Sequence, residues 1–501
     1  MAVQTWSTES EDGGQDFADK LWTKLIGYGA APFIEFEHRC YSGDEIIGCI
    51  KRIAEALARA GVSPSEPVGM VVRNRVPHAA AVLGFIAARR PIAMIYSYQS
   101  AQSIARDIEQ LRLAAVIVDR DDWTPTVAAA VTRAGSAAVV LAVHEPTVDL
   151  VAERDDGMRS GTSLELGGLH ILTSGTTGPP RRVPVPTRVL QHTVLTMTVG
   201  HAPTPDDPPE LVYWPFGSIG VCQLLAAPYS GKRMVLLEKF AVDDWVRAVK
   251  MYRVRRAGVQ PAIVRMLLDA DIPKEDLASL EYLPGGSGPL EPELREAFEQ
   301  RYGIPLLWAY GATEFAGSVC AWTPELYRQY GTAKRDSVGR PLPGVDVRIV
   351  DESGAEMRPG ETGLLEACVG VIGPGWIGTT DLASVDPDGF VTLHGRADGA
   401  INRGGFKILP ETVRKVLVAH PAVRDACVVG VPDPRVGHVP FAAAEVQHGM
   451  PTPSEAELKE WVRESLPSHH IPVAICIVDT LPRNAALKVR PGEVAALYRA
   501  P

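Results

Sequence analysis

The sequence predicts an α/β protein with an open parallel sheet near its beginning, a short-stranded region after the middle and a compact α+β end. Three observations carry this. Helix-spaced and strand-like segments alternate through the first 150 residues. Near residue 340 the texture shifts to short strands separated by turn signals. A compact α+β pattern follows Arg396. Strands alternating with helices imply β-α-β units and a parallel sheet.

Between Asp44 and Ala60, the residues Ile46, Ile47, Ile50, Ile53, Ala54 and Leu57 recur at helix spacing, and Gly61 ends the run. Val68–Val72 reads as a short buried strand, Pro77–Ala88 as a helix, and Ile92–Tyr96, Ala115–Val118 and Ala138–Val143 as further strands. Val347–Val350, Gly363–Val369 and Phe390–His394 are short strands, separated by turns at Asp351–Gly354 and Asp386–Gly389. That is the pattern of an antiparallel or barrel-like subdomain. Pro410–Val418 and Ser454–Leu466 read as helices, and Ala426–Val431 and Phe441–Val446 as strands. The boundary before the last part falls at Gly395–Asp398.

The chain has 501 residues, 46% hydrophobic and 22% charged, an ordinary globular composition. Collagen, a disordered tail protein and a disulfide mini-protein are excluded. At roughly 150 residues per domain, the length suggests about three domain-sized units, or one large domain and a small one. The formal net charge is −10 and no Lys/Arg-rich run appears, so no nucleic-acid partner is expected. The acidic start (Glu9, Glu11, Asp12, Asp16) lacks a signal-peptide pattern. The most apolar stretch, Ala79–Tyr96, is broken by Arg89 and Arg90, so no membrane span is expected. The end, Leu497–Pro501, carries no lipidation or sorting signal. Seven scattered cysteines without a C-x-x-C pair read as reduced thiols, and the expected location is cytoplasmic.

Three loops follow apparent strands. Leu169–Leu172 runs into Thr173-Ser-Gly-Thr-Thr-Gly178 and on to Arg181 and Arg182. Tyr282-Leu283 runs into Pro284-Gly-Gly-Ser-Gly-Pro-Leu290, and Leu306–Ala309 into Tyr310-Gly-Ala-Thr-Glu314. Small hydroxyl residues and glycines let N–H and O–H groups approach phosphate oxygens, and the two arginines would add charge. Such runs are more often plain loops. Three of them at strand ends, where α/β sheets bind ligands, make one crevice a reasonable expectation.

These motifs, together with Gly378-Thr-Thr-Asp381, Gly395-Arg-Ala-Asp398 and Asn484-Ala-Ala-Leu-Lys-Val-Arg490, occur in the order seen in the adenylate-forming superfamily, which the chain resembles over nearly its whole length. That superfamily holds acyl- and aryl-CoA ligases, peptide-synthetase adenylation domains and luciferases. The resemblance implies a large N-terminal domain (1–395) of doubly wound α/β subdomains plus a small β-barrel-like subdomain. A small mobile α+β C-terminal cap (396–501) follows. Thr173, Ser174, Gly175, Thr176, Thr177 and Gly178 would hold the β- and γ-phosphates of ATP. Gly286, Ser287, Gly288 and Tyr310 would sandwich the adenine. Thr313 would contact the α-phosphate, Glu314 would hold Mg²⁺, and Asp381, with Arg396 nearby, would accept the ribose hydroxyls. Asp398 would be the hinge, and Lys488 would reach the carboxylate and α-phosphate. Only 12 of the 50 basic residues are lysine, so a lysine inside this motif is less easily incidental.

Departures from the family pattern bear on specificity. Arg181-Arg182 stands for the usual Lys-Gly, Thr380 for the Gly before Asp381, and Leu487 for the Gly before Lys488. Gly217, in Trp214-Pro-Phe-Gly-Ser-Ile-Gly220, falls where an aromatic or His often gates the acid pocket. A roomier pocket suited to a flat aromatic acid is expected, with Phe216, Gly217, Trp308 and Ala312 as its candidate lining, though Phe216, Trp308 and Ala312 also suit a core. For the acceptor, Gly404-Gly405 before Phe406-Lys407 resembles the pantetheine tunnel of CoA ligases. Segments Gly200–Gly220 and Leu306–Gly317 and the Leu487-Lys488 pair resemble stand-alone amide bond synthetases of marinacarboline type. The leading expectation is an amide synthetase taking a carboxylic acid and an amine, with Asp206 as candidate base and Asp207 second. The alternative is an acid–CoA ligase. No carrier domain in cis is expected.

Overall fold

The computed structural model describes residues 13–142, 147–155, 168–173, 181–198, 207–312, 315, 317–397, 399–403, 406–484 and 487–499. The chain divides into two compact units. One comprises Met1–Ala257, Ala270–Glu281 and Ala312–Gly317, the other Gly258–Asp269, Tyr282–Gly311 and Ser318–Pro501.

The first unit is built on a seven-stranded sheet in the order Val148–Ala152, Ala137–Leu141, Ala115–Asp119, Val68–Val72, Ile92–Tyr96, Leu169–Thr173, Arg181–Val185. The five inner strands run parallel and the two edge strands antiparallel to their neighbours. Val68–Val72, Ala115–Asp119 and Ala137–Leu141 are buried along their whole length, which is why they read as unbroken apolar runs rather than alternating ones. The helix Gly43–Arg59 opens on a capping box between Ser42 and Glu45, which sets its start one residue before Asp44.

Strand order reverses between Val68–Val72 and Ala115–Asp119, the point where such sheets commonly take a ligand. Here ion pairs close it. Arg73 Nε lies 2.7 Å from Asp122 Oδ2, Arg75 Nη1 lies 2.9 Å from Asp119 Oδ1, and His78 Nε2 is 3.1 Å from Asp119 Oδ2. A second sheet of this unit orders Glu210–Val212, Met234–Leu236, Pro32–Phe36 and Arg39–Ser42.

In the second unit, Val345–Val350, Gly363–Val369, Trp376–Val385 and Val391–Arg396 form a four-stranded antiparallel sheet. The ten-residue strand Trp376–Val385 is not anticipated by the sequence pattern. It is half-buried at seven of its ten positions, and it shows neither an apolar run nor an alternation. The chain end is a further sheet in which Val423–Asp433 pairs Gly437–Val446, covered by the helices Pro410–Val418 and Glu455–Ser465. Leu417, Val428, Ala442, Leu458 and Val462 form its core. No helix of the described residues is long and apolar enough to cross a membrane.

Candidate active site

In the second unit, Leu283–Gly285 runs parallel to Leu306–Ala312 with Gly285 opposite Trp308. A Cβ on Gly285 would sit 2.1 Å from a Trp308 ring carbon, so the close approach of ring and backbone requires glycine. The Trp308 indole Nε1 donates to Gly288 O at 2.9 Å, and a Cβ on Gly286 would meet Ala309 O at 3.0 Å. Ser287 adopts φ +67°, the left-handed region that costs a non-glycine residue roughly 1–2 kcal/mol. The run Gly286–Gly288 is thus laid along the strand that carries Tyr310. Trp308 is itself buried and acts as the floor under that run.

Tyr310, two residues beyond Trp308, shares its face of the strand. Its hydroxyl donates to Asp381 Oδ2. Burial, and then this hydrogen bond to a carboxylate, push the phenol pKa up. Asp381 lies opposite Arg396 in the Trp376–Val385 and Val391–Arg396 pair. Arg396 Nη2 donates to Thr380 Oγ1 at 2.6 Å, and its Nε is 4.0 Å from Asp381 Oδ1. The Asp381 N–H donates to Thr379 Oγ1 at 3.0 Å. The structure therefore brings Tyr310, Asp381 and Arg396 into one cluster: an aromatic ring, a carboxylate with Oδ1 able to take further donors, and a cation. An aromatic ring can stack on a planar base, and a carboxylate can accept hydrogen bonds from a diol. Thr380, in the place of a glycine, is the acceptor that orients Arg396.

Lys488 lies late in the sequence of the same unit. Asn484 N–H donates to Lys488 O at 2.8 Å, Lys488 N–H returns to Asn484 Oδ1 at 3.0 Å, and Leu487 N–H donates to Asn484 O at 2.8 Å. Lys488 is exposed at the surface, yet desolvation by the protein around it lowers its ammonium pKa from the ordinary lysine value. Leu487 holds φ +57°, which explains why glycine is the usual residue there. Leu487→Gly is expected to stabilise the chain by about 0.5–1 kcal/mol by removing that strain. A denaturant midpoint that falls instead would contradict this.

In the first unit, Leu169–Thr173 ends where the Ser/Thr/Gly run begins. Arg182 is committed elsewhere. Its Nη2 contacts both Asp107 oxygens at 2.7 and 2.6 Å, and its Nη1 donates to Met94 O and His170 O. It does not supply the phosphate charge that the sequence suggests. Phe216 is buried, and Gly217 and Asp207 are half-buried. Ala312 closes the strand Leu306–Ala312 and is half-buried.

A residue without any motif signal organises the Trp214–Gly220 segment. Buried Asn74 donates from Nδ2 to Trp214 O at 2.8 Å and accepts Phe216 N–H on Oδ1 at 3.0 Å. Its partners lie about 140 positions away, so no local pattern could reveal it. Ser174, Gly175, Thr176, Thr177, Gly178, Asp206, Thr313, Glu314, Asp398, Gly404 and Gly405 lie outside the described residues. Among the described residues, no group of three or more His, Cys, Asp or Glu side chains is arranged to hold a metal ion.

Comparison with known proteins matches residues 26–370 to the family model described as AMP-binding enzyme. Residues 413–488 match the AMP-binding enzyme C-terminal domain. The chain is 28% identical to oxalate–CoA ligase of Arabidopsis thaliana, over 89% of this chain and 91% of that one. It is 27% identical to a 2-succinylbenzoate–CoA ligase of Bacillus cereus, over 93% and 95%. Among solved structures it is similar to the amide bond synthetase McbA from Marinactinospora thermotolerans, with 25% identity, a TM-score of 0.78 and coverage of 96% and 99%. It also shares the fold of ATP-bound MatB from Rhodopseudomonas palustris, with 22% identity, a TM-score of 0.80 and coverage of 96% and 99%.

Proposed function

The chain belongs to the AMP-binding enzyme family, and we propose that it is an AMP-forming ligase that adenylates an aromatic or heteroaromatic carboxylic acid and passes the acyl group to an amine. The Tyr310–Asp381–Arg396 cluster carries the first half of this reading. Tyr310 offers its ring to the adenine beside the Gly286–Gly288 run. Asp381 offers a carboxylate to the ribose diol.

A carboxylate is a poor electrophile, so it first attacks the α-phosphorus of ATP and expels pyrophosphate. Negative charge then builds on phosphoryl oxygens, where a placed ammonium is most effective. Lys488 takes that role, and Thr313 contacts the α-phosphate. The run Thr173–Gly178 holds the outer phosphates through N–H and O–H groups. Mg²⁺ suits a site with one carboxylate, Glu314, completed by phosphate oxygens and water. When bound, the ion supplies neutralising charge to the phosphates. Residues 1–395 act as the ATP- and acid-binding part, and 396–501 as the cap that turns at Asp398. The two family-model ranges support that division.

The amide route is supported by the similarity to the amide bond synthetase and by Leu487 before Lys488. An alkyl ammonium of pKa about 10.4 is only about one part in 10³ neutral at pH 7, so the amine needs a base. Asp206 is assigned that role. Asp206→Asn is expected to slow amide formation about 10²-fold while pyrophosphate release is unchanged. Loss of neither would remove Asp206 from the mechanism. The CoA-ligase relatives favour a second reading, with the thiol of CoA as acceptor. Incubation with ATP, Mg²⁺ and an aromatic acid, with either an amine or CoA, separates the two. Amide alone supports the leading reading, thioester alone supports the second, and no pyrophosphate with any acid contradicts both.

A further inference from the structure

Asp425 is a buried carboxylate on which three arginines converge. Arg483 Nη2 reaches Oδ2 at 2.5 Å, Arg414 Nη2 reaches Oδ1 at 2.7 Å, and Arg265 Nη1 reaches Oδ2 at 3.4 Å. The Ala426 N–H adds a fourth contact, to Oδ1, at 2.8 Å. Burial works against the charge, but the arginines outweigh it and hold Asp425 well below the usual carboxylate range. Glu291 closes the network, pairing with Arg414 and, at 2.8 Å, with Arg265.

Asp425 faces another buried carboxylate. In the Val423–Asp433 and Gly437–Val446 pair it stands opposite Glu445, and both are only 2% exposed. Like charges directly opposite destabilise a sheet. Arg483 relieves this, with Nη2 2.5 Å from Asp425 and 3.6 Å from Glu445. Glu445 is further tied by Arg424 at 2.8 Å and by the Leu481 N–H at 2.9 Å.

The other arm of Arg483 points to the lysine loop. Its Nη1 donates to Leu487 O at 3.2 Å, the carbonyl of the peptide bond that leads into Lys488. That peptide follows a residue at φ +57°, a conformation that persists where surrounding contacts hold it. One planar guanidinium therefore joins a buried anionic pair to the strained step before Lys488.

We propose that Arg483 is a positioning residue for Lys488, anchored by Asp425 and Glu445, so that the pose of the lysine is set by the charge network at the root of its loop. The inference rests on the assignment of Lys488 to adenylation. On this reading Arg483 makes no contact of its own with substrate. It acts by fixing the Leu487 carbonyl, and a lysine at 483 keeps the positive charge between the two carboxylates but loses the fork that serves both ends.

The test is Arg483→Lys in the full chain, with the two half-reactions read separately. Pyrophosphate release with ATP and acid reports adenylation, and a supplied acyl-adenylate with amine or CoA reports transfer. The expected result is an adenylation kcat about 10-fold lower, with KM for ATP and the transfer rate unchanged. In a Lys488→Ala background the substitution is expected to add nothing, as for residues that act as a unit. Arg483→Gln, run in parallel, keeps a donor without the charge and covers the case in which one variant does not fold. Equal losses in adenylation, ATP affinity and transfer would overturn the proposal as a merely structural role. So would an effect that persists in the Lys488→Ala background, or an unchanged kcat. Full adenylation by Lys488→Ala itself would instead overturn the reading of Lys488.

Discussion

Lys488→Ala is expected to lower acid adenylation by about 10²–10³-fold while ATP still binds. That is the loss typical when one preorganised group facing developing charge is removed. The loop around the lysine is closed by reciprocal Asn484–Lys488 backbone and side-chain hydrogen bonds, none of which uses the ammonium. Truncating the side chain therefore leaves the loop intact and removes only the cation. The proposed ATP contacts are made by other residues, so calorimetric affinity for ATP is expected to change little. Pyrophosphate release near the wild-type rate would contradict the role of Lys488.

Asp381→Ala has the second-largest expected effect. Its carboxylate is oriented by the Tyr310 hydroxyl and by its neighbourhood with Arg396. Hydrogen bonds to a charged group contribute about 1.5–3 kcal/mol. Loss of the carboxylate from a ribose diol should therefore raise KM for ATP by about 10–100-fold. Tyr310→Phe is the informative companion, because it keeps the ring and removes only the donor that fixes Asp381. It should raise KM for ATP less than Asp381→Ala does. An unchanged KM in a folded Asp381→Ala variant would remove Asp381 from the nucleotide site.

Much of the first unit is legible in the sequence because burial on both faces leaves a plain mark. Val68–Val72 and Ile92–Tyr96 are read at the same residues that the structure assigns. Trp376–Val385 leaves no such mark, since its apolar and polar residues neither alternate nor form a run and most are half-buried. The strand becomes readable only through its partners, Glu366 opposite Gly378 and Arg396 opposite Asp381. The site divides in the same way. Tyr310 and Asp381 stand out through the motifs that contain them, whereas Asn74 and Arg483 matter through contacts that no neighbouring residue announces. Arg182 illustrates the converse. It stands beside a candidate phosphate loop, but Asp107, 75 positions away, takes its charge.

The Asn74 clamp bears on how such an enzyme changes its diet. The Trp214–Phe216 backbone is hydrogen-bonded by an amide from another strand end, through main-chain atoms of the segment. Those two bonds come from a residue outside the segment, so substitutions within it need not remove them. If the segment lines the acid pocket, as the family resemblance implies, a library that diversifies it and keeps Asn74 varies that lining while retaining both backbone bonds. One that also varies Asn74 gives up both of those bonds.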